Sequence, residues 1–105
     1  MGMQKILFLP LNDANALRIV RETARQSCNV FLVEHAKVRM RQRRITLTQV
    51  LTCLRKGNIY ESAHIDIKGD CRLTLRHVCA GDDIRVAVAV KRDTNNKTVA
   101  VITVF

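Results

Sequence analysis

The stretch Thr46-Leu47-Thr48-Gln49-Val50-Leu51-Thr52-Cys53-Leu54-Arg55-Lys56-Gly57 is where the chain changes its hydrophobic period. Thr46 and Gln49 have capping-box spacing: the threonine oxygen can accept the Gln49 N–H while the glutamine side chain reaches back. Ile45 and Val50 occupy the matching apolar staple positions. Leu47, Val50, Leu51 and Leu54 form one stripe at helical spacing. Arg55 and Lys56 suit the negative end of a helix dipole, and Gly57 stands where a left-handed cap belongs. A helix over residues 46–56 is predicted.

Downstream the pattern turns to period two. Strands are predicted over 63–68, 71–78, 84–90 and 98–105, separated by Gly69-Asp70, Gly81-Asp82-Asp83 and a polar hairpin loop at 93–97. Ile65 and Ile67 share one side. Leu73 and Leu75 oppose Arg72, Thr74 and Arg76. Ile84, Val86, Val88 and Val90 oppose Ala87 and Ala89, a small-residue face that suits close packing by a helix or a neighbouring chain. The unbroken apolar run of 98–105 implies a central strand, covered on both sides.

Upstream, residues 5–9 read as a short strand or extended lead-in. Asn12 or Asp13 can cap a helix over 12–27, with Leu17, Val20 and Ala24 inward and Arg18, Arg21 and Arg25 as a basic stripe. Residues 30–33 are an extended connector burying Phe31 or Val33. A second helix runs from Glu34 or His35 to about Arg43, with Ala36 and Met40 inward. The fold class is therefore α+β: N-terminal helices packed on a C-terminal antiparallel sheet of three to four strands, in one domain over 1–105.

Hydrophobic residues make up 48% of the 105, enough for a core. The net charge of +9 is unevenly spread: residues 1–57 carry 11 basic and 3 acidic side chains, residues 58–105 carry 7 and 6. A positive face in the helical half favours a polyanion. With no Trp and one Tyr, Tyr60, the chain has little material for aromatic base-stacking platforms. The apolar run at 6–9 is too short for a secretory signal and Pro10 ends it. No segment approaches the roughly 20 apolar residues of a membrane span. A cytoplasmic protein with reduced, mostly buried thiols at Cys28, Cys53, Cys71 and Cys79 is expected. His77 and Cys79 do not form a metal site with Cys71, because eight strand steps separate the two thiols by roughly 26 Å. No metal or other cofactor is expected, and no membrane partner.

Residues 35–45, His-Ala-Lys-Val-Arg-Met-Arg-Gln-Arg-Arg-Ile, concentrate the charge: five of the eight from Lys37 to Arg44 are basic. Guanidinium groups make paired contacts to phosphate, so such a helix can lie along a nucleic-acid backbone. A solvated helix face is the plain alternative. His35-Ala36, Arg39-Met40, the following Arg and Ile, and the Thr-capped helix ending Leu54-Arg55-Lys56-Gly57 resemble the bacterial domain-of-unknown-function family 4258. Asp66-Ile67-Lys68-Gly69-Asp70 and the two apolar C-terminal strands fit the same layout, so that the resemblance covers about Asn12 to the end. Members commonly carry Gly where this chain has Arg44, and often Tyr where it has Phe105.

The layout also looks like RelE- and MqsR-type ribonuclease toxins. That likeness implies a small RNA-directed protein, an endoribonuclease-like toxin held by an antitoxin or other acidic protein. His35, Arg39 and Arg76 would be its catalytic residues. His35 would act as general acid or base, since imidazole titrates near neutrality. Arg39 would stabilise phosphorane charge. Lys37, Arg39, Arg41, Arg43, Arg44, Arg72 and Arg85 are the expected nucleic-acid contacts. The alternative is a non-enzymatic module binding nucleic acid or protein. A concave cluster of His35, Arg39 and the strand arginines favours the enzyme; dispersal over separate surfaces favours the binder.

Overall fold

Asn12 opens the first helix, its Oδ1 accepting the Asn15 N–H at 2.8 Å. A computed structural model describes residues 12–92 and 97–105. The expected lead-in at 5–9 and the loop positions 93–96 lie outside the described residues. Helix α1 spans Asp13–Thr23, ending four residues before the predicted end at Ser27. A 3-10 turn at Ser27–Asn29 then leads into strand β1, Val30–Leu32. Helices α2 (Glu34–Arg43) and α3 (Leu47–Lys56) follow. Both halves of the α3 capping box are made: Gln49 N–H donates to Thr46 Oγ1 at 3.1 Å, and Thr46 N–H to Gln49 Oε1 at 2.8 Å.

Strands β2 (Asn58–Ile65), β3 (Cys71–Cys79), β4 (Asp82–Arg92) and β5 (Lys97–Val104) complete the domain. The sheet order is β1-β5-β4-β3-β2. The four long strands pair antiparallel, and β1 pairs parallel with β5. Among the described residues the sheet is thus mixed and five-stranded rather than antiparallel with three to four strands. A three-residue strand has no period to detect, and its parallel pairing depends on contacts some seventy residues away in sequence. That pairing makes β5 an internal strand, as its apolar run implied, but the expected covering on both sides is corrected, because the described helices all lie on one face. Val33 packs against the core, whereas Phe31, opposite Ala100, is exposed.

Alternation assigns the two faces of the sheet. Leu73 faces Val88, Leu75 faces Val86 and Val90 faces Val99 across the ladders. These residues join Val20, Ala24, Ala36, Met40, Val50, Cys53 and Leu54 in one core cluster. All three helices therefore cover the valine and leucine face. Of the two coverings expected for the alanine face, a helix or a neighbouring chain, the helix is corrected: no described helix packs there. Ala89 and Ala100 are buried but stand apart from that cluster, on the opposite face with Arg72, Thr74, Arg76 and Arg85.

Backbone geometry corrects three local readings. Gly57 is extended (φ −72, ψ 168), so it is not a left-handed cap. A Cβ there would lie 2.5 Å from the Cys53 carbonyl oxygen and 2.9 Å from that of Arg76, so glycine permits a close approach of α3 to β3. The left-handed residue is Arg44 (φ 57, ψ 43), which ends α2. This explains physically why glycine suits the position in the resembling family. The β3–β4 turn is Ala80-Gly81, with φ of 52 and 87 as a type I′ hairpin requires, and Asp82 and Asp83 already belong to β4. Strand β2 begins directly after Gly57 and stops at Ile65, so Ile67 lies in the turn, 98% exposed, rather than beside Ile65.

The four cysteines are unbridged, and only Cys53 is fully buried; Cys71 is half-buried, and Cys28 and Cys79 are exposed. The expectation of mostly buried thiols is corrected accordingly. Burial pushes the Cys53 thiol up to about 12, which keeps it protonated and unreactive at neutral pH.

Candidate nucleic-acid interface

Helix α2 buries Ala36 and Met40, one turn apart, against β5. At 3.6 residues per turn, its cations divide between two flanks of that buried stripe. Lys37 and Arg41 stand on one flank, four apart. His35, Arg39 and Arg43 stand on the other, while Glu34, Val38 and Gln42 look outward between them. Lys37, Arg41, Arg43 and His35 are exposed, whereas Arg39 is half-buried. The Arg39 Nε is buried without a hydrogen-bond partner among the described residues. No ion pair among the described residues engages Lys37, Arg39, Arg41, Arg43 or Arg44.

The end of α2 shapes a groove. The Ile45 N–H donates to the Met40 carbonyl at 2.9 Å, the six-to-one bond of a Schellman motif, and Arg44 takes the left-handed position between them. Leu32, Met40 and Ile45 line an open groove of about 500 Å³, together with Lys37, Arg41, Arg44 and Thr46. Sequence reading placed Met40 in the core and Ile45 as a staple, and took Leu32 only as part of a connector. No local pattern announced the groove, because it depends on β1 lying beside the end of α2.

On the open sheet face the expected arginines do align: Arg76 and Arg85 are direct cross-strand partners, and Arg72 is on the same side. Each is held by an acid. Arg76 donates to Asp83 through Nε and Nη2, both at 2.9 Å. Arg85 reaches the same carboxylate at 3.6 Å and lies over the Tyr60 ring, 4.6 Å from its centroid. Arg72 pairs with Asp66 at 2.8 Å, and Lys91 with Asp70 at 2.8 Å. The hydrogen bonds from Arg76, and the charges of Arg76 and Arg85, hold the Asp83 carboxyl below its usual range. Asp66 is held down first by the Asp70 N–H, then by Arg72 and the Lys68 N–H.

The basic stripe of α1 has a different use. Arg18 pairs with Glu22 at 3.4 Å. Arg21 donates to the Gly57 carbonyl at 2.8 Å, and Arg55 of α3 returns a 2.8 Å bond to the Ala24 carbonyl. These crossed contacts tie α1 to α3, so part of the positive charge counted in the helical half is structural.

The expected catalytic residues do not converge. His35 and Arg39 stand one turn apart on α2, on the helical side of the sheet. Arg76 projects from the other side, with Arg72 and Arg85. The arrangement is a small α+β domain whose densest run of cations without an acidic partner lies on α2 and its cap, while Arg25, Lys56 and Lys68 are scattered elsewhere, with no concave His–Arg cluster among the described residues. The chain belongs to the family Domain of unknown function (DUF4258), whose model matches residues 32–105. The match takes in α2, α3 and strands β2 to β5 but only Leu32 of β1 and none of α1, so it begins later than the resemblance from Asn12. No curated protein and no solved structure matches the chain. Among the described residues, no helix is long and apolar enough to cross a membrane.

Proposed function

We propose that this protein is an RNA-binding module that grips the phosphate backbone through α2. The supporting observation is the contrast in charge pairing. Lys37, Arg39, Arg41, Arg43 and Arg44 have no acidic partner among the described residues, whereas Arg72, Arg76, Arg85 and Lys91 each have one. An unneutralised row of guanidinium groups gains bidentate bonds to phosphate and releases condensed counterions, without first breaking an internal ion pair. The separation of His35 and Arg39 from Arg76 favours binding over a composite nuclease site.

Fluorescence anisotropy with labelled RNA over a series of salt concentrations tests this. The logarithm of affinity should fall with the logarithm of salt. Replacing Arg39, Arg41 and Arg43 by Ala should flatten that slope by about two to three units, if each meets a phosphate. An unchanged slope would remove α2 from the interface. The second reading is an endoribonuclease-like toxin, and its support is the exposed His35 one turn from Arg39.

A further inference from the structure

We propose that the groove at the end of α2 holds one unpaired nucleotide of an RNA strand, with its phosphate on Lys37, Arg41 and Arg44 and its base against Leu32, Met40 and Ile45. The inference rests on the reading of α2 as an RNA-binding helix and adds which form of RNA the site takes.

Two independent observations meet at this place. The first is chemical complementarity. Among the described residues, three cations without an acidic partner border the groove, no acid lines it, and its remaining walls are apolar apart from Thr46. A nucleotide has the matching division, an anion at one end and a flat, weakly polar ring at the other. The volume of about 500 Å³ falls within the roughly 300–1,000 Å³ of small-ligand sites. The second is backbone strain. Arg44 is exposed and left-handed at φ 57, ψ 43, a conformation that strains a residue with a Cβ and costs glycine almost nothing. The Schellman turn needs only a left-handed residue, and a glycine would serve it better. Arginine there places a third guanidinium or ammonium group at the mouth of the groove, beside Lys37 and Arg41. Strain retained at a ligand-facing position points to function.

The groove suits a base better than an acidic peptide. A helical peptide needs apolar anchors over two or more turns. Here the apolar floor is three side chains, of which Met40 and Ile45 are each less than one-tenth exposed. That floor covers one ring. A duplex would present phosphates to Lys37, Arg41 and Arg44 but keep its bases stacked away from the floor, so unpaired RNA should be preferred.

The full chain is titrated with a single-stranded RNA oligomer, its duplex, an oligomer of equal length lacking bases, and an acidic peptide of Glu and Leu. The single strand should bind about tenfold or more tighter than the duplex. Removing the bases should cost about threefold or more, through the lost apolar contact with Leu32, Met40 and Ile45. Arg44→Gly should raise Tm yet weaken single-strand binding, flattening its salt slope by about 0.7. A merely structural Arg44 would give the rise in Tm alone. Arg41→Gln, at an exposed helical position, should weaken binding at unchanged Tm. Equal affinity for duplex and single strand, full affinity without bases, or unchanged binding by Arg44→Gly overturns the proposal while leaving α2 as an RNA-binding helix. Displacement of the oligomer by the peptide at lower concentration overturns it in favour of an acidic protein partner. Failure of wild-type protein to bind RNA in any form overturns both readings.

Discussion

Arg76 on β3 and Arg41 on α2 are both exposed guanidinium groups, but their surroundings differ. Arg76 gives two 2.9 Å bonds to Asp83, and the same carboxylate also draws Arg85. Arg41 meets no acid among the described residues and borders an open groove. An arginine on the sheet would have to exchange an internal partner for a phosphate, and the exchange returns little. An arginine on α2 exchanges only water and counterions. Position in the fold, rather than residue type, therefore decides which cations are free to bind.

The largest expected effect tests that contrast directly. Replacing Lys37, Arg41 and Arg43 by Ala should lower RNA affinity by about 10²-fold at fixed salt, each lost charged contact being worth about 1 kcal/mol or more. Replacing Arg72, Arg76 and Arg85 by Ala should lower it only about threefold or less, although Tm should fall. Anisotropy and thermal unfolding on both triple variants provide the comparison. Equal losses of affinity would show that the sheet pairs open on binding, and the contrast would collapse.

Acid should act on the sheet and spare α2. Folding holds the Asp66 and Asp83 carboxyls below the ordinary value of 3.8. Their stabilising contribution is therefore complete above the unfolded pKa and is lost as pH falls through the lower folded values. Tm should decline as pH falls below the ordinary carboxylate value of 3.8, and less steeply in an Asp66→Asn, Asp83→Asn double variant. The triple alanine variant of α2 should keep the wild-type profile. A double variant with the full acid sensitivity of wild type would place the titrating groups elsewhere.

Among the described residues each region also has one left-handed residue other than glycine, Arg44 at the end of α2 and Ala80 in the β3–β4 turn. Arg44→Gly should stabilise by about 1 kcal/mol. Ala80→Asn should stabilise by about 0.5 kcal/mol, because asparagine tolerates the left-handed region of a type I′ turn. Only the first should change RNA binding. Denaturant unfolding of both variants checks the stabilities, and a loss of stability in either would show that its present side chain makes a compensating contact.

The smallest effect should come from His35. His35→Ala should alter RNA affinity by less than about twofold, because His35 lies off the groove, on the flank of α2 away from Lys37 and Arg41. The cleavage reading requires instead that wild-type protein cut RNA and that His35→Ala slow it by about 10²–10⁴-fold. Gel analysis of labelled RNA separates the two. Such a loss at intact Tm would make the binding-only reading untenable.

Much of the fold could be read residue by residue. The α3 cap needed only Thr46 and Gln49, three apart. The inward set Leu73, Leu75, Val86 and Val88 needed only alternation. Gly57 was misread because a glycine after a helix has two uses, a left-handed cap or a close approach, and only the position of Arg76 across the gap distinguishes them. Arg44 went unnoticed as the left-handed residue because its local sequence continues a basic helix. The candidate interface was legible as a run of cations, but not as two flanks with a groove beside one of them.

The order of elements, the inward residues of the long strands and the concentration of charge near α2 were determined by the sequence itself. These depend on near-neighbour spacing, capping chemistry and composition, all of which act over a few residues. The parallel pairing of β1 with β5, the placing of the strand arginines across the sheet from His35 and Arg39, and the neutralisation of those arginines by Asp66 and Asp83 were decided only by tertiary structure. The physical reason is range: a side chain's direction follows from local periodicity, but the residues that pair it, cover it or leave it open are brought together only when the sheet closes over the core.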